Sequence, residues 1–398
     1  MSVIMSLLKN DPAALYKKDI FQLVAMCGDG KLTDGSECCA ELREYLHNIT
    51  ESEHLFAYAD TCLSEKAEKS ERGGRVLQDV VNELGIRLEY DVEFGLYQGK
   101  SNAVGNDGLW RDGKGHAIVV EVKTTDAYNI NLDTVAKYRN KLIEAKKIPP
   151  SSSILLVVGR EDTGGWEAQV RGSRHAWDVR IIGVEALKQL VSLKENSESA
   201  SVEKIHELLI PFEYTRLDRI IGIAFTVAED ASAVIEDEVS DEVEQEQGAT
   251  KAHQQTSAEI IDAIRTSIVG TLSLSHPPLV KKSRALLWSA DKSVRAAITV
   301  SKKYPDGHYW YAYHPDWDKF LGEGATGLFV LGCVGRSEAF AIPYKWMHSK
   351  LDMLNVTENK TTKRKHYQIS VYPKSNGQLC LRLNNGVDEP LESFKMSV

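Results

Sequence analysis

Cysteine is scarce and scattered in this chain of 398 residues. Cys27, Cys38, Cys39, Cys62, Cys333 and Cys380 include one adjacent pair and no CxxC. That spacing argues against a zinc site and a disulfide framework, and it fits a reducing, cytoplasmic setting. No apolar run reaches the roughly 18–20 residues that span a bilayer. The opening MSVIMSLLKNDPAALYKKD also lacks a basic segment followed by a clean apolar core. The expectation is a soluble protein with no membrane partner. Positive charge is in short supply: 48 Lys and Arg face 57 Asp and Glu, a net charge of -9. A general polyanion binder carries the opposite balance. A local basic face can still coexist with acidic segments elsewhere. Also absent are GxxxxGK[ST], GxSxG and HExxH, so no P-loop ATPase, hydrolase elbow or zinc-protease helix is encoded. The glycine run LGEGATG (321–327) lacks the strand before and helix after that a dinucleotide turn requires.

What is present is enough apolar residue, 42%, to build two or three cores without staples. Residues 1–71 repeat apolar positions at helical spacing, with a turn cluster GDGKLTDGS that ends on a Ser N-cap candidate. A small helical region of this kind suits a packing or dimerisation cap, with a winged-helix-like DNA reader as the sharper alternative. Residues 72–195 alternate helices and strands. GRVLQDVVNELG reads as an amphipathic helix and RLEYDVEFGLYQ as a strand. HAIVVEVKT and SILLVVG are buried strands on either side of a helix, LDTVAKYRNKLIEAKK, and AWDVRIIGVEALKQLVSL is a strand leading into a helix. The order predicts a mixed sheet flanked by helices. Residues 196–257 start helical and end in an acidic, aromatic-poor stretch, a linker. Residues 258–398 hold several short strand-like runs and fewer helices, an α+β C-terminal domain.

The chemistry concentrates in GNDGLWRDGKGHAIVVEVKTTDAY, residues 105–128. A buried strand that ends Glu121-Val122-Lys123 puts the glutamate and the lysine on one face, because strands repeat every two residues. Burying such ions is costly unless they are paired. Asp107 brings a second carboxylate to the same cluster. A divalent cation between Asp107 and Glu121 makes the cluster economical, and two carboxylates with a backbone carbonyl are a hard-oxygen set suited to Mg²⁺. Lys123 then lies where it can stabilise charge on a phosphate and help position or deprotonate a water.

This pattern resembles the PD-(D/E)XK nuclease superfamily, in particular its Mrr-like restriction-type members. The first motif reads Asn106-Asp107, with Asn where Pro is usual. The second is a literal ExK, Glu121-Val122-Lys123. The resemblance covers about residues 72–195. It implies an α/β restriction-endonuclease-like core, with Asp107 and Glu121 as ligands of Mg²⁺ or Mn²⁺ and Lys123 as the third catalytic residue. It also implies hydrolysis of DNA phosphodiesters to 5′-phosphate ends, a homodimer, and a setting in prokaryotic restriction or antiviral defence. Relatives carry a glutamate on the first helix. Here that position reads Gln78, so Glu83 and Glu93 are the carboxylates that can fill the gap. On the next helix, Tyr138 or Lys137 stands where relatives place a residue facing the site.

Other residues suit phosphate contacts. Arg171, Arg174, His175 and Arg180 cluster in an acidic chain, and Lys360, Lys363, Arg364, Lys365 and His366 form its strongest basic run. Thr124, Thr125 and Asp126 either cap the next turn or contact phosphate. In YPDGHYWYAYHPDWDKFLG, strand alternation puts Tyr309, Tyr311 and Tyr313 on one face and Trp310 on the other, one for the core and one open to stacking on bases. The C-terminal domain therefore reads as a recognition or sensor module. Two other functions stay open: a non-catalytic nucleic-acid-binding scaffold, and a gated nuclease, acting on DNA or RNA, that a small molecule or partner protein activates.

Overall fold

A computed structural model describes residues 2–64, 71–98, 105–124, 131–159, 164–196, 202–211, 251–358 and 365–398. The chain divides into two units, Met1–Asp230 and Ala231–Val398, each an α/β assembly of helices and mixed or antiparallel sheets. Among the described residues no helix is long and apolar enough to cross a membrane.

Among its described residues the first unit opens with five short helices, Val3–Asn10, Pro12–Tyr16, Ile20–Met26, Glu37–His47 and Ser52–Leu63. Side chains stop four of them from fraying, Asp11 accepting from the Ala14 amide at 3.1 Å at the start of Pro12–Tyr16. Ser2 accepts from the Met5 amide, Asp19 and Gln22 form a capping box, and Ser36 accepts from the Cys39 amide at 3.1 Å. Next comes helix Glu71–Arg87, which the sequence presents as amphipathic. Its apolar side, Val76, Leu77, Val80, Val81 and Leu84, is buried. Its polar side is buried as well, at Gln78, Asp79, Asn82, Glu83 and Arg87. The N-terminal helices cover part of that polar side and supply partners for Asp79, Glu83 and Arg87. Arg43 bonds Asp79 at 3.0 Å, His47 approaches Glu83 at 3.3 Å, and Arg87 donates to the Leu46 and Ile49 carbonyls.

Residues 1–71 therefore do not form a separate region. Leu42, Tyr45, Leu46, Leu55 and Tyr58 share one core with this helix and with Val120 and Val122 of the sheet. Helix Val202–Leu209, assigned from sequence to the linker at 196–257, joins the same core through Ile205 and Leu209.

The sheet has five strands in sequential order. β1 (Asp91–Phe94), β2 (Gly108–Arg111) and β3 (Ala117–Lys123) form an antiparallel meander. β4 (Ser153–Val158) and β5 (Val179–Gly183) add to β3 in parallel. Helix Leu132–Glu144 makes the crossover from β3 to β4. Alternation along β3 sends Ile118, Val120 and Val122 into the core of the long helix. Ala117 and Val119 join the core containing Leu132, Val135 and Ala136. Glu121 and Lys123 continue that second row. Two expectations shift. The strand read over RLEYDVEFGLYQ shrinks to β1, because the helix runs on to Arg87 and turns through Glu89 at φ 66. Helix Gly164–Arg171, unforeseen from sequence, lies between β4 and β5.

The second unit opens with helix Lys251–Ser275, which begins inside the stretch read as linker. Its strands are β6 (Leu279–Lys281), β7 (Leu286–Ser289), β8 (Val294–Ser301), β9 (Tyr309–Tyr313), β10 (Thr326–Cys333), β11 (Glu338–Pro343), β12 (Asn355–Glu358), β13 (Lys365–Pro373), β14 (Leu379–Arg382), β15 (Asp388–Pro390) and β16 (Lys395–Ser397). They form one sheet ordered β16-β11-β10-β8-β7-β6, with β8 and β10 parallel. A second, antiparallel sheet contains β12 to β15, with β9 paired to β13. Tyr309, Tyr311 and Tyr313 all face the core. Trp310, on the other face, meets His366 edge-on at 5.8 Å. After β9 the chain turns into helix Pro315–Gly322: Pro315 occupies its first turn, and Trp317 and Phe320 turn inward.

Candidate functional site: a carboxylate pair and a lysine on one strand end

β3 outlasts its neighbour. β2 pairs with it only as far as Gly108 opposite Val120, and the Asp107 amide still reaches the Val120 carbonyl at 3.0 Å. Beyond that point the Val122 N–H has no strand to bond. The Asp107 side chain fills the role: its Oδ2 accepts from the Val122 amide at 2.7 Å. One backbone bond thus brings the aspartate of the glycine-rich turn beside the ExK strand end. Glu121 Oε1 accepts from Lys123 Nζ at 2.5 Å. Glu121 Oε2 is buried and has no partner.

The electrostatics follow from crowding. Burial, with the Glu121 charge beside it, pushes the Asp107 carboxyl up to about 7, against the Val122 amide and Lys123, which favour its ionised form. Burial also works against the Lys123 ammonium. Glu121 and then Asp107 outweigh it, so the Lys123 pKa is raised and the group stays charged. The lysine keeps about a third of its side chain exposed, and Glu121 about a tenth. The cluster therefore runs from a buried carboxylate to an accessible cation.

Three donors fix the turn that carries Asp107. Its main-chain carbonyl accepts from Gln78 Nε2 at 3.0 Å, Asn82 Nδ2 at 2.9 Å and the Gly95 amide at 3.0 Å. Asn82 Oδ1 accepts in turn from the Trp110 indole at 2.9 Å. The approach is close enough that a Cβ on Gly108 would lie 2.1 Å from Asn82 Oδ1. Gln78 is thus a clamp on the backbone, where relatives of the resembled superfamily carry a carboxylate. Asn82 was not foreseen. Its only signal in the sequence is a polar residue one helical turn from Gln78, on the same side of the helix.

The remaining expected residues divide. The Tyr138 hydroxyl comes within 3.1 Å of the space a Gly105 Cβ would fill, two residues before Asp107, and its proximity contributes to the Lys123 environment. Lys137 is exposed on the same helix. Neither Glu83 nor Glu93 joins the carboxylate pair. Glu83 is buried against Arg87 at 3.1 Å, and Glu93 bonds Arg111 at 2.8 Å on the open edge of the sheet. Arg171 and Arg174 are exposed, with Glu167 at 3.6 Å and Asp133 at 3.0 Å, so both carry a counter-charge. Lys365 lies 3.8 Å from Glu358. Lys363 and Arg364 lie outside the described residues, as do Thr125 and Asp126.

Among the described residues no group of three or more His, Cys, Asp or Glu side chains forms a metal cage. A hard divalent cation does not need one. Mg²⁺ commonly takes one or two carboxylates and completes its shell with water and substrate oxygens. The two carboxylates here, with one buried oxygen unpartnered, fit that chemistry. A cleft of about 500 Å³ elsewhere on the unit contains none of the three residues, and its lining of Glu89, Asp112, Glu203 and Glu207 is ill suited to a polyanion. No protein-family model matches the chain, and no curated protein matches it at a significant level.

Proposed function

We propose that the first unit is a metal-dependent DNA endonuclease of the PD-(D/E)XK, restriction-endonuclease-like type, centred on Asp107, Glu121 and Lys123. The carrying observation is the unpartnered, buried Glu121 Oε2 beside Asp107. Two adjacent buried carboxylates destabilise a protein unless a cation joins them. A mixed sheet flanked by helices, with the cluster on one strand end, supports the reading. Asp107 and Glu121 are the residues that would hold Mg²⁺ or Mn²⁺. Such an ion supplies Lewis-acid polarisation of the phosphate and a more acidic bound water.

The chain's own groups do the rest. Lys123 is held as an ammonium by its two carboxylate neighbours, so it acts as a cation and not as a base. It offsets the negative charge that builds on the phosphate oxygens as water adds to phosphorus and the P–O3′ bond breaks. That cleavage leaves a 5′-phosphate. Gln78, Asn82 and the Gly95 amide keep the Asp107 turn rigid, which fixes the spacing of the two carboxylates.

The test compares wild type with Lys123→Ala on supercoiled plasmid, phage DNA and RNA, with Mg²⁺, Mn²⁺ or EDTA. Metal-dependent cutting that Lys123→Ala loses supports the reading. Cutting that survives EDTA, or survives Lys123→Ala, refutes it.

A further inference from the structure

In the second unit three cations converge on one indole. The Trp288 ring of β7 has Lys282 Nζ at 4.6 Å, Lys292 Nζ at 4.7 Å and the Arg295 guanidinium at 5.9 Å from its centroid. An indole face attracts a cation. Three around one ring also repel each other, at separations comparable to the ~8 Å screening length of physiological salt. Arg295 is anchored within the fold. It donates to the Phe320 carbonyl at 3.1 Å, pairs with Glu323 at 2.6 Å and lies over the Phe320 ring.

Lys292 has no such anchoring. It is exposed, and it sits at φ 59, in the left-handed region that a residue with a Cβ enters against a steric penalty. Asp291 organises the turn around it: one carboxylate oxygen accepts from the Ser289 hydroxyl, the Ser293 hydroxyl and the Ser293 amide. Glycine or asparagine makes such a turn with less strain. A lysine there keeps a positive charge beside Lys282 and Trp288 at the expense of backbone comfort.

We infer that Lys282, Lys292 and Trp288 form a contact surface for the phosphodiester backbone of a nucleic acid. The choice of DNA as that nucleic acid rests on the proposed nuclease function. A chain with a net charge of -9 repels DNA at long range, so any engagement needs a local positive surface. Two ammonium groups act as point charges toward phosphate oxygens. An indole between them offers a flat apolar face to a sugar or base.

The experiment measures anisotropy of a fluorescent DNA duplex of about 20 base pairs on the full chain in EDTA, across a salt series. Lys282→Ala with Lys292→Ala weakens binding by about tenfold or more near 100 mM salt, and the log–log salt slope becomes shallower by about 1.8, or ~0.9 per lost phosphate contact. Lys292→Asn separates function from folding. Asparagine is at ease at positive φ, so its melting temperature holds or rises while its affinity falls. An unchanged affinity and slope in the double variant overturns the inference. So does a wild type that holds ATP more tightly than the duplex through these lysines, because the ligand is then a small phosphate and not a strand. A wild type that binds through the lysines but never cuts refutes the nuclease reading and leaves this surface standing. A double variant that binds and cuts like wild type does the reverse.

Discussion

Asn82→Ala tests how the site is held. Asn82 is fully buried, and its two bonds join the Asp107 carbonyl to the Trp110 indole. Removing the amide loses two neutral hydrogen bonds, each worth about 1 kcal/mol net. It leaves the Asp107 carbonyl two other donors, so that oxygen is not stranded. The indole N–H, on a fully buried Trp110, is stranded, and an unsatisfied buried donor costs about 1–3 kcal/mol. The expected loss is roughly 2–4 kcal/mol, with most of its spread coming from the indole. The assay is hydrogen exchange of β2 and β3 amides under increasing urea, which reads the opening free energy of this sheet alone. A double-mutant cycle with Trp110→Phe isolates the indole contribution. In the Phe background the Asn82→Ala loss shrinks by about 1–3 kcal/mol. Additivity within about 0.5 kcal/mol, or a loss of that size for Asn82→Ala alone, refutes the clamp. If the clamp holds, any metal-dependent cleavage falls in Asn82→Ala even at temperatures where the sheet stays folded.

Two further predictions concern the long helix and its neighbours. Arg87 is buried against Glu83 and donates to two carbonyls, so Arg87→Met leaves the buried Glu83 carboxylate with His47 alone, at 3.3 Å, and destabilises the first unit by up to about 3–5 kcal/mol; Glu83→Leu with Arg87→Met recovers part of that, as urea unfolding reads. Burial lowers the His206 pKa below 6.5, although the Leu88 carbonyl at 2.7 Å and nearby Asp112, Glu89 and Glu203 pull the other way. The unfolded chain then binds more protons, so the His206 contribution is whole above pH 6.5 and is lost as pH falls through the folded value. Wild type loses more stability than His206→Asn between about pH 7.5 and 5, and parallel pH profiles of the two proteins refute the assignment.

What the sequence revealed follows physical range. β3 was legible because AIVVEVK is a continuous apolar run, and its end was legible because the period of two puts Glu121 and Lys123 together. β2 was not: GLWR is four residues long, and only pairing with β3 makes it a strand. The pairing of the polar row of Glu71–Arg87 was not legible, since its partners Arg43 and Asp107 lie 36 residues before Asp79 and 25 beyond Asn82. The fate of Glu93 depended on cross-strand register, which puts Arg111 within reach of it. Local pattern gives elements and strand faces. Partners far along the chain decide which polar residues are structural.

The buried polar row also sets a limit on dissection. Cutting the chain at residue 72, the boundary that motif matching suggests, would keep Asp107, Glu121 and Lys123 and remove Arg43, His47 and the carbonyls of Leu46 and Ile49. Asp79, Glu83 and Arg87 would then face water along a helix that still carries the clamp on Asp107. Such a fragment would not be a smaller version of the first unit. The N-terminal helices complete the pairing of the helix that holds the Asp107 turn, so the smallest piece that keeps the proposed site on a fully paired helix starts with them.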